Sequence, residues 1–437
     1  MERLLERINE AVWGNGLILL LIGTGLFFTV KLRFVQLRAF TLPIRAHQRR
    51  SAQNRGLSQG KTVCMALGAA MGTGNITGAA SAVMIGGAGA VFWMWVSALL
   101  GMAIVYAENC LSVKYSSGDV RGPMAYLSKG VRSPVLAYIF AFMCICAAFG
   151  MGGMVQVSSA ADAVSVSSPL ARPVVAVVSF VLISAVTGGG TKRIGSAASV
   201  LLPVASAAYG AACAAVLITF RENIPQAFAD ILSGAFSVRS AVGGISGLAV
   251  SRAVSVGIRR GIFSNEAGLG TSALLHSAAE SDSPELQADW AMTEVFFDTV
   301  ICCTLTALVM LCSPCRDSVG AAFSAVLGRF GAPFIATELA VFAFCTVIGQ
   351  FYCAGTAFRY ITGNESGRTF SLLFAICSSL GAVLTARTVW TLSDIFNGLM
   401  ALPNLLGLLL LSHNVTNKSR KTGNNSTNKN HVRGTEK

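Results

Sequence analysis

Charge is what this chain has least of. Only 12% of its 437 residues are Asp, Glu, Lys or Arg, against roughly 25% in soluble domains. With 53% hydrophobic residues and a mean hydropathy of +0.63, that shortage excludes a soluble globular domain and predicts a polytopic membrane protein. Histidine is scarce too: His47, His276, His413 and His431 lie far apart in sequence. No His-based metal cluster or nucleophile–base pair is legible, so an enzyme is not expected. Twelve cysteines scatter through apolar stretches, and Cys312-Ser313-Pro314-Cys315 is a lone CxxC with no second pair beside it. They read as ordinary apolar-surface cysteines. No aromatics interleave with the basic residues, so the net charge of +13 reflects membrane topology and not a nucleic-acid partner. No small-residue cleavage site follows the first apolar stretch, and the first helix is expected to stay. Nothing implies a cofactor or an obligate protein partner; the bilayer is the surrounding phase.

Against this background one run stands out. Gly72-Thr73-Gly74-Asn75-Ile76-Thr77-Gly78 interrupts the apolar segment Thr62 to Ile85 with glycines, threonines and an asparagine, and is expected to unwind. Non-helical backbone at membrane depth survives only where it faces protein or a cavity, so its bare N–H and C=O groups become ligands. A second such run is Gly261-Ile262-Phe263-Ser264-Asn265-Glu266-Ala267-Gly268-Leu269-Gly270, about half the chain away. Paired broken segments in two halves point to a secondary transporter. GTGNITG is not a dinucleotide loop: its glycine spacing is wrong and no strand precedes it.

A hydrocarbon core of about 30 Å needs roughly 20 apolar residues per helix. Spans are expected near 14–34, 62–85, 89–112, 134–160, 172–188, 195–219, 244–275, 288–312, 333–361, 369–386 and 390–412, about eleven in all, with a short surface helix within 221–242. The fold class is therefore an all-α polytopic membrane protein. Lys31, Arg33, Arg38, Arg45, Arg49, Arg50, Arg55 and Lys61 crowd the first loop and make it cytoplasmic, which leaves the N-terminus outside and the C-terminus inside the cell membrane. Arg252, Arg259 and Arg260 depart from this pattern; they either guard an outer vestibule or snorkel to the interface. Setting the entry helix aside leaves ten spans, with the broken ones first in each half, as in a five-plus-five inverted repeat. The divisions are 1–61 (entry helix and basic loop), 62–219 and 220–412 (the two repeats) and 413–437, a polar tail with nothing apolar to bury that is expected to be disordered.

GTGNITG, then Gly86-Gly87-Ala88-Gly89-Ala90-Val91-Phe92-Trp93-Met94-Trp95, Tyr106-Ala107-Glu108-Asn109, Arg260 to Gly270, Phe297-Asp298-Thr299 and Met400-Ala401-Leu402-Pro403-Asn404 together resemble the sodium:alanine (alanine or glycine:cation) symporter family. The resemblance runs from about Gly23 to Ser412. It implies a LeuT-type fold with one extra N-terminal helix, and sodium-coupled import of a small neutral amino acid by alternating access.

On that resemblance, amides around Thr73, Gly74 and Asn75 cap a half-helix and hold the substrate carboxylate at its positive dipole end. The carbonyls of Gly68 and Met71, the hydroxyl of Thr346 and the side chain of Asn75 are the expected sodium ligands, hard oxygens for a hard cation. Gln156 matches a substrate-contacting position, with an interhelical hydrogen bond as its other reading, and Ser264, Asn265, Ala267 and Gly268 face the substrate amine and side chain. Glu266 is either a coupling carboxylate or a brace for the broken helix, while Glu108, Asp298 and Asp394 are read as structural or gate acids and not as ligands.

Three departures from the family pattern stand out. In Thr346-Val347-Ile348-Gly349-Gln350, Gln350 replaces the family's tryptophan beside the side-chain pocket, which makes a larger or more polar neutral amino acid credible. Cys345 replaces a serine, and a thiol is a poor sodium ligand. Arg121-Gly122-Pro123 shortens a Gly-Gly-Pro turn. The expected function is thus sodium symport of an alanine- or glycine-type substrate. Proton-coupled transport of a substrate such as glutamine, or a non-transporting amino acid sensor, are the alternatives.

Overall fold

Helix starts follow the chain's own punctuation. Ser133, Ser283, Ser318 and Thr385 each accept a backbone N–H three residues on, and a proline follows the first two at the position where its missing N–H is harmless. The computed structural model describes residues 2–38, 57–165, 171–236, 245–279 and 283–415. Among these no strand forms; Ser117 and Val120 make an isolated antiparallel bridge.

In chain order the helices are α1 (Glu2–Val12), α2 (Asn15–Lys31), α3 (Gln59–Ala70), α4 (Ala79–Gly86), α5 (Gly89–Tyr115), α6 (Pro134–Ala147), α7 (Gln156–Ser165), α8 (Ala171–Thr187) and α9 (Gly190–Thr219). They continue with α10 (Ile224–Phe236), α11 (Ile245–Asn265), α12 (Thr271–His276), α13 (Pro284–Val295), α14 (Thr304–Cys312), α15 (Val319–Leu327), α16 (Gly331–Thr362), α17 (Arg368–Leu380) and α18 (Ala386–Leu410). Wide π turns join several of them, at Gly74–Gly78, Ala148–Val155 and Phe296–Cys303.

Among the described residues, seven helical stretches are long and apolar enough to cross a bilayer, and α8 and α17 are shorter apolar helices. Their outer surface carries exposed Val30, Phe142, Val177, Val204 and Ile376, side chains that water would penalise and lipid accepts. α5 is the central pillar: it packs against α11 on one side and α13 on another, and Tyr106, Glu108 and Asn109 on it are fully buried.

Two differences from the sequence expectation have a common cause. The run Gly72 to Gly78 does not unwind as a whole: Met71 and Gly72 leave the helix, and Gly74–Gly78 forms one π turn. In the second run, α11 continues to Asn265 and the chain breaks over 266–270. Backbone at membrane depth keeps every intrahelical bond that sterics allow, so each break shrinks to its minimum. The expected surface helix is α10; α15 was not anticipated. The rest of the expected connection at 237–242, the loop arginines Arg45, Arg49, Arg50 and Arg55, and the polar tail from 416 onward lie outside the described residues.

Candidate functional site

The candidate site lies where the helical segments flanking the two breaks meet. Gly74 packs directly on Ser264: a Cβ there would sit 3.3 Å from both the Ser264 backbone and the Phe263 ring. Beside that contact the π turn at Phe296–Cys303 brings in Asp298, which is fully buried. Its Oδ1 accepts from Asn75 Nδ2 at 2.7 Å, and its Oδ2 accepts from Ser264 Oγ and Thr299 Oγ1, each at 2.7 Å. Asn75 Nδ2 also donates to the Asp298 carbonyl at 2.9 Å, which leaves its Oδ1 buried without a partner. Thr306 Oγ1 donates to the Asn75 carbonyl at 2.7 Å and meets Tyr209 Oη at 2.6 Å. A buried carboxylate ringed by neutral hydroxyls and an amide, with an orphaned carbonyl oxygen beside it, lacks a positive charge.

A second group forms around the first break. Thr73 donates through both its N–H and its Oγ1 to Gln156 Oε1, each at 3.0 Å, while Gln156 Nε2 donates to the Met151 carbonyl at 3.1 Å. Thr346 Oγ1 donates to the Gly68 carbonyl at 3.0 Å, and Cys345 packs its Cβ against Gly68. Met71 caps α3, the position at which a helix carbonyl end is free to take a cation. Gly72 is required by the closeness of these partners, since a Cβ there would lie 2.4 Å from Thr346 Oγ1 and 2.8 Å from Gln156 Oε1.

The remaining expected residues brace the second break. Glu266 sits in the left-handed region at φ 53°, a strained position for a non-glycine residue. Gln350 Nε2 donates to its Oε1 at 2.6 Å. Asn265 Oδ1 accepts from Ala267 N–H at 3.0 Å. Gly268 and Gly270, at φ 87° and 79°, supply the left-handed turn. Asn404 Nδ2 donates to the Gly268 carbonyl at 2.8 Å and to Glu108 Oε1 at 2.6 Å, Glu108 Oε1 also accepts from Gly270 N–H at 3.2 Å, and Tyr126 donates to Asn404 Oδ1. Ala267 and Gly268 are thereby held against α5 and α18, Gln350 is committed to Glu266, and Asn75 bonds to Asp298 and not to Gly68 or Thr346. Arg259 lies 5.8 Å from the Trp13 ring centre and donates to the Trp13 carbonyl at 2.8 Å, and Arg260 lies 4.4 Å from the Trp390 ring centre, so both rest on aromatic side chains.

Asn404→Ala removes the amide that ties Glu108, Gly268 and Tyr126 together. With two buried acceptors losing that amide, a loss of about 2–4 kcal/mol is expected, read as a lowered thermal midpoint in detergent.

Asp298 is the residue that sequence reasoning set aside. The signal was present in Phe297-Asp298-Thr299, an acid and a hydroxyl inside an apolar segment. Which helix the acid faces was not readable. Among the described residues no group of three His, Cys, Asp or Glu side chains converges as a metal site.

A cavity of about 1120 Å³ opens between α8, α9, α16 and α17, rimmed by Lys192, Arg193, Arg359 and Arg368. Arg359 pairs there with Asp119 at 3.0 Å and Glu365 at 3.4 Å.

Comparison with known proteins adds an independent line. The profile of the sodium:alanine symporter family matches residues 1–433. The sodium/alanine symporter AgcS of Methanococcus maripaludis is 37% identical over 440 residues, covering 95% of this chain and 96% of its own. The amino-acid carrier protein AlsT of Bacillus subtilis is 34% identical, over 93% of this chain and 88% of its own. The probable sodium/glutamine symporter GlnT of the same organism is 31% identical, over 94% and 89%.

Proposed function

Because this chain belongs to the sodium:alanine symporter family, we propose that it couples inward sodium flow to the import of a small neutral amino acid, of alanine or glycine type, at the junction of its two broken helices. It is a multi-pass membrane transporter and not an enzyme. The observation that carries the site assignment is the buried Asp298 carboxylate, held by Asn75 from the π turn after the first break and by Ser264 from the helix end before the second.

Sodium travels with the substrate as cargo. One position lies at Asp298, where the unpartnered Asn75 Oδ1, Ser264 Oγ and a carboxylate oxygen supply hard donors and the ion supplies the missing charge. A second lies where the Gly68 carbonyl and Thr346 Oγ1 meet below the Met71 end of α3. Cys345 turns toward Gly68, so the backbone carbonyl and Thr346 carry the oxygen donors there. The substrate carboxylate takes the place of Gln156 Oε1 in front of Thr73 N–H and Oγ1, with the Gly74 and Asn75 amides adjacent. The substrate side chain points toward Ser264, Asn265, Ala267, Gly268 and Gln350. Because Gln350 is bonded to Glu266, it shapes the pocket through Glu266 rather than by direct contact.

The two interrupted segments, the seven long spans and the two shorter apolar helices support a reading as eleven spans in a five-plus-five, LeuT-type carrier with an added entry helix. In that arrangement the basic loops face the cytoplasm, the N-terminus lies outside, and the basic-rimmed cavity is the inner exit.

The test is uptake of a radiolabelled neutral amino acid panel, including alanine, glycine and glutamine, into proteoliposomes with and without an inward sodium gradient. Sodium-dependent accumulation of alanine or glycine is expected. Accumulation driven by a proton gradient alone moves the coupling to protons, and saturable binding without accumulation makes the protein a sensor.

A further inference from the structure

At the inner end of the two broken helices lies a polar chain that neither the sodium nor the substrate positions use. His276 ends α12, and its Nδ1 lies 2.9 Å from Gln287 Oε1 on α13. Gln287 Nε2 donates to Gln59 Oε1 at 2.7 Å, and Gln59 Nε2 donates back to Gln287 Oε1 at 3.3 Å. Gln59 begins α3 and is half-buried, whereas Gln287 and His276 are 0% and 1% exposed. On the other side of the ring, His276 Nε2 lies 3.0 Å from Glu294 Oε1, and both atoms are buried without a hydrogen-bond partner.

These partners decide the proton count. Gln287 Oε1 is an acceptor, so Nδ1 must carry a hydrogen. If that were the only ring hydrogen, two unpartnered acceptors, the bare Nε2 and a carboxylate oxygen, would lie 3.0 Å apart, a repulsive contact in a dry interior. The arrangement therefore needs one more proton between Nε2 and Oε1. Its charge environment comes from Cys64 on α3, Arg121, whose guanidinium donates to the Ser277 carbonyl at 3.2 Å, and the acids Glu266 and Asp298 beyond Glu294.

Behind Glu294 is a cavity of about 10 Å³, shared with Asn265, Glu266 and Ser272, room for about one water. Asn265 Nδ2 is buried there without a partner, a donor that a water would satisfy. That water would connect the proton pair to the second break.

We propose that His276 and Glu294 form a proton-binding site distinct from the sodium and substrate positions, filled through the one-water cavity and emptied toward the side of the basic first loop. While Gln59 and Gln287 close the inner end, the imidazole carries hydrogens on both nitrogens beside an ionised Glu294. When α3 swings away with Gln59, Gln287 loses the two bonds that hold its amide, turns off the ring, and water takes its place at Nδ1. The Nδ1–H bond breaks, its electron pair stays on the ring, the proton joins water, and the neutral imidazole keeps Nε2–H toward Glu294. The site itself does not depend on the substrate reading above; only the direction of proton flow rests on it.

The test loads proteoliposomes containing the full chain with a pH-sensitive dye and records sodium-driven uptake of the alanine, glycine and glutamine panel together with lumenal pH. The expected result is lumenal acidification that accompanies uptake and vanishes in His276→Gln, which keeps sodium-dependent uptake. Sodium-dependent uptake by the wild type without acidification overturns the proton site and leaves symport intact. Absence of any uptake overturns the symport reading, and an infrared pH titration of the solubilised protein then decides the proton site. A titrating signal lost in both His276→Gln and Glu294→Gln supports it; the same titration in all three proteins refutes it.

Discussion

Replacing Asp298 by alanine is expected to abolish sodium-dependent uptake. The substitution strips one acceptor each from Asn75 Nδ2, Ser264 Oγ and Thr299 Oγ1, and removes the only charge within that hydrogen-bonded cluster. A lost buried charge-assisted contact costs about 3 kcal/mol, which corresponds to roughly a 100-fold loss in sodium affinity. Because alanine also leaves donors stranded, Asp298→Asn separates the charge from the packing. It has nearly the same shape and keeps an oxygen acceptor, so it is expected to reach the membrane with a near-normal thermal midpoint and still show no sodium dependence. Asn75→Ala, which removes the orphaned Oδ1 together with the tie to Asp298, is expected to share that phenotype. Uptake with wild-type sodium dependence in Asp298→Asn would remove Asp298 from the ion site.

Gly72→Ala is expected to be equally severe, for a steric reason. The added methyl would meet Thr346 Oγ1 at 2.4 Å and Thr346 Cβ at 3.2 Å, and would push Gln156 Oε1 from its place in front of Thr73. One carbon thus disturbs the Gly68–Thr346 ion position and the carboxylate position together. Uptake is expected to fall to background, with substrate and sodium affinity both lost in binding assays. The control is Gly78→Ala, in the same run. There a Cβ meets nothing within 4 Å, and the backbone is helical at φ −64°. Replacing glycine at a helical position is worth roughly 0.5–1 kcal/mol in stability, so this variant is expected to transport normally and unfold slightly later. Equal behaviour of the two variants would show that Gly72 is a packing glycine and no part of a site.

The contrast between Gly72 and Gly78 also marks where sequence reading stops. Both belong to one conspicuous run, and composition gave no reason to prefer either. The run announced a break because glycine and hydroxyl residues weaken a helix in an apolar setting. The break narrowed to Met71 and Gly72 because a bilayer leaves no solvent to satisfy more open backbone. The same holds for Gln350. Its replacement of a ring was visible in the sequence, but its bond to Glu266, 84 residues away, was not.

Asp298, His276 and Glu294 show the limit most clearly. An acid in an apolar segment signals function or pairing, yet periodicity does not tell which neighbour it meets, since partners 34, 223 and 18 residues distant carry no local signal. A π turn adds a residue to the helical repeat, so Phe296–Cys303 rotates Asp298 off the face that a regular helix would give it.

What the sequence determined by itself was the membrane class, the placement of the apolar segments, the two interruptions and the family, because each depends on composition or on order along the chain. Hydrophobic length, helix-breaking residues and motif order are local properties, and a bilayer reads them locally. Tertiary structure alone decided that Asn75 and Ser264 converge on Asp298, that Glu108 and Asn404 tie down the second break, and that His276 and Glu294 are buried side by side. Those outcomes depend on which faces of distant helices meet, and that is set by close packing of small residues across the whole bundle.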